Sequence, residues 1–173
     1  MAFTFDATIG GEDSNSYCTV EQADDYMDAR LSTDAWDALS TSDKESALAM
    51  ATRRINAERF GGRKTAQSQA LQFPREVIYD KDGYVYDSNV IPQELINATC
   101  EMALFYLERD EEGIVTEYEL HDAQYIESYG VGPLSYKFKK GAKADGLPNA
   151  VQRELRAMGL GVWLRNTAGI MIR

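Results

Sequence analysis

Few residues in this chain of 173 could do chemistry, and their spacing matches no catalytic arrangement. The only histidine, His121, stands beside Asp122 among acidic residues, where a histidine is usually a surface residue. Adjacent carboxylates such as Asp24 and Asp25 would point about 100° apart on a helix, so they cannot act as an acid–base pair. No GxSxG nucleophile motif is present. The sequence therefore predicts no catalytic residue, and we expect a protein that is not an enzyme.

Metal and cofactor sites are likewise not predicted. The run Asp80-Lys81-Asp82-Gly83 matches part of a calcium loop but lacks the downstream glutamate at the required spacing. The two cysteines, Cys18 and Cys100, have no CxxC spacing, and we interpret them as small buried hydrophobes in a reducing compartment. Neither a phosphate loop nor a dinucleotide-binding turn occurs. We expect no metal and no cofactor.

One group of basic residues has the composition of a nucleic-acid contact. This basic cluster consists of Arg53, Arg54, Arg59, Arg63 and Lys64. Two phenylalanines nearby in sequence, Phe60 and Phe73, could stack on unpaired bases. The net charge of −10 argues against this interpretation, because a non-specific binder gains most of its affinity by neutralising phosphates. The basic cluster is therefore a candidate for either a DNA contact or a contact between subunits.

The C-terminal part of the chain differs from the rest in charge. Lys137 to Arg173 contains eight basic and two acidic residues, a net +6, which leaves −16 on residues 1–136. Its last residues are also apolar, although a free terminus is normally polar. Such a segment needs a surface, which is the protein's own core, a neighbouring subunit or another protein. The candidate anchoring and ion-pairing residues are Leu160, Val162, Trp163, Leu164, Arg165, Ile170, Met171, Ile172 and Arg173.

Two capping boxes predict the first long helices. Thr19 and Gln22 form one of them, because a hydroxyl residue is followed three positions later by an amide. Ser42 and Glu45 form the other, and it predicts a helix that continues to about Arg59. The apolar face predicted for the first helix contains Val20, Ala23, Met27 and Leu31.

Prolines mark the start of two further helices. Pro92 lies at the first position of the strongest apolar stripe, which extends to about Leu107. Pro148 opens a last helix to about Met158.

The β-type segments are shorter. Asp82-Gly83 lies between aromatic and β-branched residues and favours a hairpin turn, although a flat loop is equally compatible. Segments 114–120, 124–128 and 134–139 have the composition of strands, with Gly132-Pro133 as a turn.

Together these elements predict a mainly α (α+β) fold. We expect a compact bundle of about four helices in residues 1–158, with a small β-hairpin or sheet inserted near residues 114–140. Residues 159–173 are expected to form an extended C-terminal docking arm. No apolar run approaches the roughly 20 residues that cross a bilayer, so we expect no membrane contact.

The order of these segments resembles a family of tailed-bacteriophage proteins over about residues 15–173. The family appears under two labels, head–tail adaptor (connector or head-completion protein) and DnaT-like single-stranded-DNA-binding protein. The pieces that carry the resemblance are, in order, Tyr17, Thr19, Val20 and Ala23; Ala47, Ala51, Thr52 and Ile55; Gln69, Ala70 and Leu71 with Phe73-Pro74-Arg75; Ile91-Pro92 with Ala98 and Glu101; and Gly132-Pro133-Leu134.

The first label implies a structural virion protein at the head–tail junction, synthesised in the host cytoplasm. It implies a ring, usually dodecameric, that lies under the portal, connects head to tail and lines the DNA channel. The implied partners are the portal protein, a tail-side connector, terminator or tail protein, other copies of the chain, and the passing genomic duplex in transient contact. The C-terminal arm would reach the portal. The tyrosine-rich stretch 79–86 and the acidic segment 108–122 depart from the pattern.

The second label implies a replication accessory protein that binds single-stranded DNA. This alternative predicts binding that depends strongly on salt and on the arginines of the basic cluster.

Overall fold

The computed structural model describes residues 3–112, 128–131, 134–137, 147–159 and 162–164. Its helices are α1 (Val20–Asp28), α2 (Asp34–Asp37), α3 (Thr41–Asn56), α4 (Gln93–Glu112) and α5 (Asn149–Ala157). Its strands are β1 (Arg63–Lys64), β2 (Arg75–Glu76), β3 (Ser128–Val131) and β4 (Leu134–Lys137).

Helix α1 begins as predicted but ends early. The Thr19 side chain accepts a hydrogen bond from the Gln22 backbone, and the Gln22 side chain accepts one from the Thr19 backbone, which completes the capping box. The helix stops at Asp28, and Leu31 is 91% exposed instead of lying on the buried face. The predicted apolar face was wrong at Leu31, because the backbone leaves the helix before that position.

Helix α3 begins at Thr41, and its cap lies two residues before the first residue of the predicted capping box. Its N-cap is Ser40, whose hydroxyl accepts a hydrogen bond from the Asp43 backbone. Assignment of the cap to Ser42 was wrong, because Ser40 already occupies that role and the Asp43 carboxylate accepts a hydrogen bond from its hydroxyl at 2.6 Å. The short helix α2 lies just before, and its Trp36 is fully buried.

Helix α4 is the centre of the bundle. It contacts α1, α2, α3 and α5, and its Leu95, Ala98 and Ala103 side chains are fully buried. The predicted start at Pro92 is confirmed to within one residue, since α4 begins at Gln93, and α4 extends beyond Leu107 to Glu112. Helix α5 follows Pro148, again as predicted, and buries Val151 and Leu155 against the same core.

Two small antiparallel sheets complete the fold. In the first, β1 pairs with β2, so that Lys64 lies opposite Arg75. In the second, β3 pairs with β4, so that Tyr129 lies opposite Tyr136. The β3–β4 pair falls inside the region where a β insertion was predicted. The predicted strand at 114–120, residues 124–127 of the next predicted strand and the Gly132-Pro133 turn lie outside the described residues.

The prediction of a helix-dominated α+β fold is therefore confirmed. The buried apolar side chains form one core that includes residues from α1 to α5. Among the described residues, no helix combines the length and the apolar character needed to cross a bilayer.

Candidate functional site

The basic cluster lies at the end of α3 and in the loop and strand that follow it. Arg53 and Arg54 belong to the last turns of α3, Arg59 follows the helix, and Arg63 and Lys64 form β1. The end of a helix favours cations, because its unpaired carbonyl groups carry partial negative charge. The fold therefore brings these residues to one region.

Three members of the basic cluster are already engaged. Arg54 Nη1 lies 2.8 Å from Glu58 Oε1, and Arg63 Nε lies 2.8 Å from Glu76 Oε1. The Lys64 ammonium group donates to the Gln69 carbonyl at 3.0 Å. Two carboxylates thus offset much of the positive charge that a phosphate backbone would need.

Arg53 and Arg59 differ from the other members. Both side chains are exposed, and neither forms an ion pair within the part of the chain that the structure describes. Their charges are therefore available to a partner.

The expected stacking aromatics are not available to bases. Phe60 and Phe73 are 8% and 1% exposed and pack edge to face, with ring centroids 5.0 Å apart. The hypothesis that these rings stack on single-stranded DNA was wrong, because both are part of the core.

A buried arginine that the sequence analysis did not select organises this loop. Arg75 is 7% exposed, and its guanidinium donates to the backbone carbonyls of Phe60, Gly61, Gly62 and Gln72. Burial lowers the pKa of Arg75 from its ordinary value, because a low-dielectric site disfavours the charged form. Arg75 fixes the path of the chain between α3 and β1.

The residues before the C-terminus pair with the same loop. Gly61 donates its backbone N–H to the Val162 carbonyl, and Leu164 donates to the Arg59 carbonyl, both at 2.8 Å. Between them, Phe60 and Trp163 form an antiparallel β-bridge. Residues 162–164 therefore extend the folded domain.

Because of this pairing, the structure shows whether three of the predicted anchoring residues are buried or exposed. Val162 and Trp163 are buried in the protein's own core, at 1% and 9% exposure. Of the three surfaces considered for the apolar tail, the protein's own core is the one that these two residues contact, so they do not form a free docking surface. Leu164 is 42% exposed. The other predicted anchors, Leu160, Arg165, Ile170, Met171, Ile172 and Arg173, lie outside the described residues.

A hairpin exposes an unusual concentration of apolar surface. Tyr79 and Val85 form an antiparallel bridge, and Asp80 Oδ1 closes the turn by accepting from the Asp82 and Tyr84 backbones. This confirms the hairpin alternative over a flat loop. The exposed side chains, which we call the hairpin patch, are Val77, Tyr79, Tyr84 and Val85, at 58%, 49%, 74% and 64% exposure.

The hairpin patch stands on a rigid base. The Tyr86 hydroxyl donates to the Met158 carbonyl at 2.8 Å, which ties the hairpin to the end of α5. Gly159 packs so closely below it that a Cβ there would clash with the Tyr79 carbonyl oxygen. Val77 adopts a φ of 61°, a left-handed conformation that a β-branched residue rarely takes. Such strain is typical of functional surfaces.

The cysteines, the histidine and the possible metal ligands of the sequence do not assemble into a reactive site within the described residues. Cys18 and Cys100 are buried, as expected, and a hydrogen bond in which the Cys100 thiol donates to Cys18, together with burial, raises the pKa of the Cys100 thiol. In the described ranges, no three His, Cys, Asp or Glu side chains come together as metal ligands. His121 lies outside those ranges.

The fold and these surfaces define a helix-dominated α+β protein with an exposed apolar hairpin and a basic cluster in which two of five charges are paired with carboxylates. The family model described as "Putative DnaT-like ssDNA binding protein" matches residues 1–171, and the chain belongs to that family. No curated protein and no solved structure matches the chain.

Proposed function

We propose that this protein is a head–tail adaptor of tailed bacteriophages, a non-enzymatic virion protein that forms a ring beneath the portal. The observation that carries the proposal is the hairpin patch. Four large apolar or aromatic side chains are each exposed along a hairpin whose base is anchored to α5. A patch of this kind is typical of a surface that binds another protein, and tyrosine is enriched in such contacts.

The charge distribution supports an assembly role. The chain carries a net −10, and two arginines of the basic cluster are paired with carboxylates. An acidic ring around a DNA channel lets the duplex pass, because it repels phosphates instead of holding them. The partners in this account are the portal above the ring and a connector or tail protein below it.

The C-terminal arm is shorter in this proposal than the sequence pattern indicated. Because Val162 and Trp163 belong to the core, portal contact falls to the exposed Leu164 and to residues beyond it, with Arg165 and Arg173 as ion-pairing groups. Each arm binds weakly, but many arms on one ring gain from their high effective concentration.

A comparison of two double variants tests the role of the hairpin patch. Tyr79→Ser combined with Tyr84→Ser removes the two aromatic side chains from the patch. Ile9→Ser combined with Val90→Ser is the matched control, since both residues are similarly exposed elsewhere. Each protein is mixed with purified portal rings and with the tail-side ring, and complexes are separated by size-exclusion chromatography.

The proposal expects the tyrosine variant to lose binding to one of the two rings while the control keeps both. If the tyrosine variant still binds every ring that the wild-type protein binds, the hairpin patch is not part of the contact. If the wild-type protein binds neither ring, the adaptor function itself is wrong.

Single-stranded-DNA binding is the second candidate, and the family description favours it. The exposed rings of Tyr79 and Tyr84 could stack on bases, and Arg53 and Arg59 have charges free for phosphates. A titration with a labelled oligonucleotide at low salt tests it, with Arg53→Glu/Arg59→Glu as the comparison. Wild-type binding that falls steeply with salt and disappears in the variant supports this function, whereas no binding at low salt ends it.

A further inference from the structure

The turn after α1 presents an isolated leucine to solvent. Leu31 is 91% exposed, and the next residue, Ser32, has a left-handed φ of 62°. The leucine is not on a loose loop, because the adjacent Arg30 forms an ion pair with Glu101, a residue of α4 that is 8% exposed. Tyr26 donates to the same carboxylate at 2.7 Å. Leu31 is therefore an exposed apolar side chain on a segment that is fixed to the bundle, and we call it the knob.

Exposed carboxylates flank Leu31 in the sequence, and we call them its acidic rim. Asp28, Asp34 and Asp37 are exposed in α1 and α2 on either side of it. The nearest basic side chains along the chain, Arg30 and Lys44, are already paired with Glu101 and Asp24. The surface is thus an apolar point within a negatively charged rim.

A cleft elsewhere on the molecule has the complementary chemistry. Its volume is about 480 Å³, and it lies between the N-terminal segment and α3. Phe3, Met50 and Leu71 supply its apolar lining, and Phe3 and Met50 are themselves 54% and 44% exposed. Arg53, exposed and without an ion pair in the described part of the chain, lies at the same cleft. The cleft thus combines an apolar wall with a free positive charge, and the rest of its lining is mostly polar (Ser14, Asn15, Ser46, Ala49, Thr52 and Asn56).

We propose that Leu31 of one copy of this chain inserts into this cleft on a second copy, where Arg53 pairs with Asp28 or Asp34. The knob is not among the residues that line the cleft in its own molecule. The contact joins two different surfaces and is therefore heterologous, the type of interface that closes into a ring. The inference rests on the ring assembly of the proposed function and names the contact that builds it.

Complementarity on both counts identifies a second copy as the occupant. The apolar knob fits the apolar lining, and the acidic rim faces the one arginine of the cleft. Opposite charges that meet around an apolar centre fix the register of an interface and disfavour wrong partners. A duplex or single strand of DNA offers phosphate to Arg53 but is repelled by the rim of Leu31.

Mixed-chain crosslinking tests the contact directly. One full-length chain carries Leu31→Cys and the other Met50→Cys, and they are mixed under mild oxidation, alone and on portal rings. The native cysteines are buried and should not react. The control mixture replaces Leu31→Cys by Val85→Cys, which is exposed on the hairpin patch. We expect disulfide-linked dimers in the first mixture at a rate at least about tenfold above the control.

A charge exchange provides an independent measurement. Arg53→Asp should weaken self-association at least about tenfold, because it places like charges in contact. Arg59→Asp, the same change at an exposed arginine outside the cleft, should not. Combining Arg53→Asp with Asp28→Arg and Asp34→Arg in one chain should restore association, measured by sedimentation velocity.

The outcomes separate this inference from the adaptor function. A ring that forms on the portal without crosslinking between positions 31 and 50 above the control overturns the inference and leaves the adaptor function standing. Loss of portal binding by Arg53→Asp with unchanged self-association also overturns it, since the cleft would then serve the portal. Crosslinked dimers that never bind the portal support the contact and contradict the adaptor function.

Discussion

Trp163 pairs with Phe60 through an antiparallel bridge, and its indole N–H donates to Glu58 at 3.3 Å. The Arg156 guanidinium lies over the same ring, 5.8 Å from its centroid. One residue near the C-terminus therefore joins the end of α3 to α5. The folded domain therefore includes Trp163, and any docking arm begins after this residue.

Replacement of Trp163 by alanine should destabilise the folded protein strongly. The change leaves a cavity in the core and removes the Glu58 hydrogen bond, so we expect a loss of about 3 kcal/mol in the free energy of unfolding. Leu164→Ala, at the adjacent exposed position, should cost less than about 1 kcal/mol. Urea denaturation of both variants measures this difference, and equal losses would show that Trp163 is not part of the core.

Two truncations should separate folding from docking. A chain that ends at Leu164 keeps the bridge to Phe60 and should unfold at nearly the wild-type temperature while losing portal binding. A chain that ends at Met158 also loses Val162 and Trp163 and should unfold at a clearly lower temperature. Thermal unfolding and portal co-elution are measured on each. Full portal binding by the chain that ends at Leu164 would exclude residues 165–173 from the contact.

The sequence predicted the local features of this fold more successfully than its long-range ones. The capping box at Thr19 and the proline before α4 depend on neighbours within one helical turn, so the pattern alone indicated them. The exposure of Leu31 was missed because α1 ends at Asp28, before the periodic apolar pattern does, and the segment that follows is held by an ion pair of Arg30 with a distant helix. The burial of Trp163 was left open among three possible surfaces, since its partner Glu58 is more than a hundred residues away.

Arg75 also illustrates what the sequence pattern does not contain. Its partners are backbone carbonyls, which have no residue signature, so a buried arginine cannot be told from an exposed one. Arg75→Met should cost about 2 to 3 kcal/mol, because several buried carbonyl groups lose their donors. Arg59→Met is the matched control and should change the free energy of unfolding by less than about 0.5 kcal/mol. Chemical denaturation would refute this if the two variants were equally stable.

Alkaline pH should destabilise the protein through its buried tyrosines. Burial, followed by the Glu94 carboxylate, raises the pKa of Tyr86 from 10.0 to about 12. Burial also raises the pKa of Tyr17 and of Tyr26. The unfolded chain therefore releases these protons first, so the stabilisation is complete below pH 10 and falls as the pH rises towards 12.

Urea denaturation from pH 8 to pH 12 checks this expectation. The free energy of unfolding should decrease above pH 10, and Tyr86→Phe should make that decrease shallower because one of the titrating groups is removed. A profile that Tyr86→Phe leaves equally steep would contradict the assignment to Tyr86.

The most direct test of the adaptor function is to mix the purified protein with portal rings of its own phage and to image the complex by negative-stain electron microscopy. The account predicts a second ring stacked beneath each portal. Portal rings without an additional ring, together with salt-dependent binding of the free protein to a single-stranded oligonucleotide, would contradict it and establish the DNA-binding alternative.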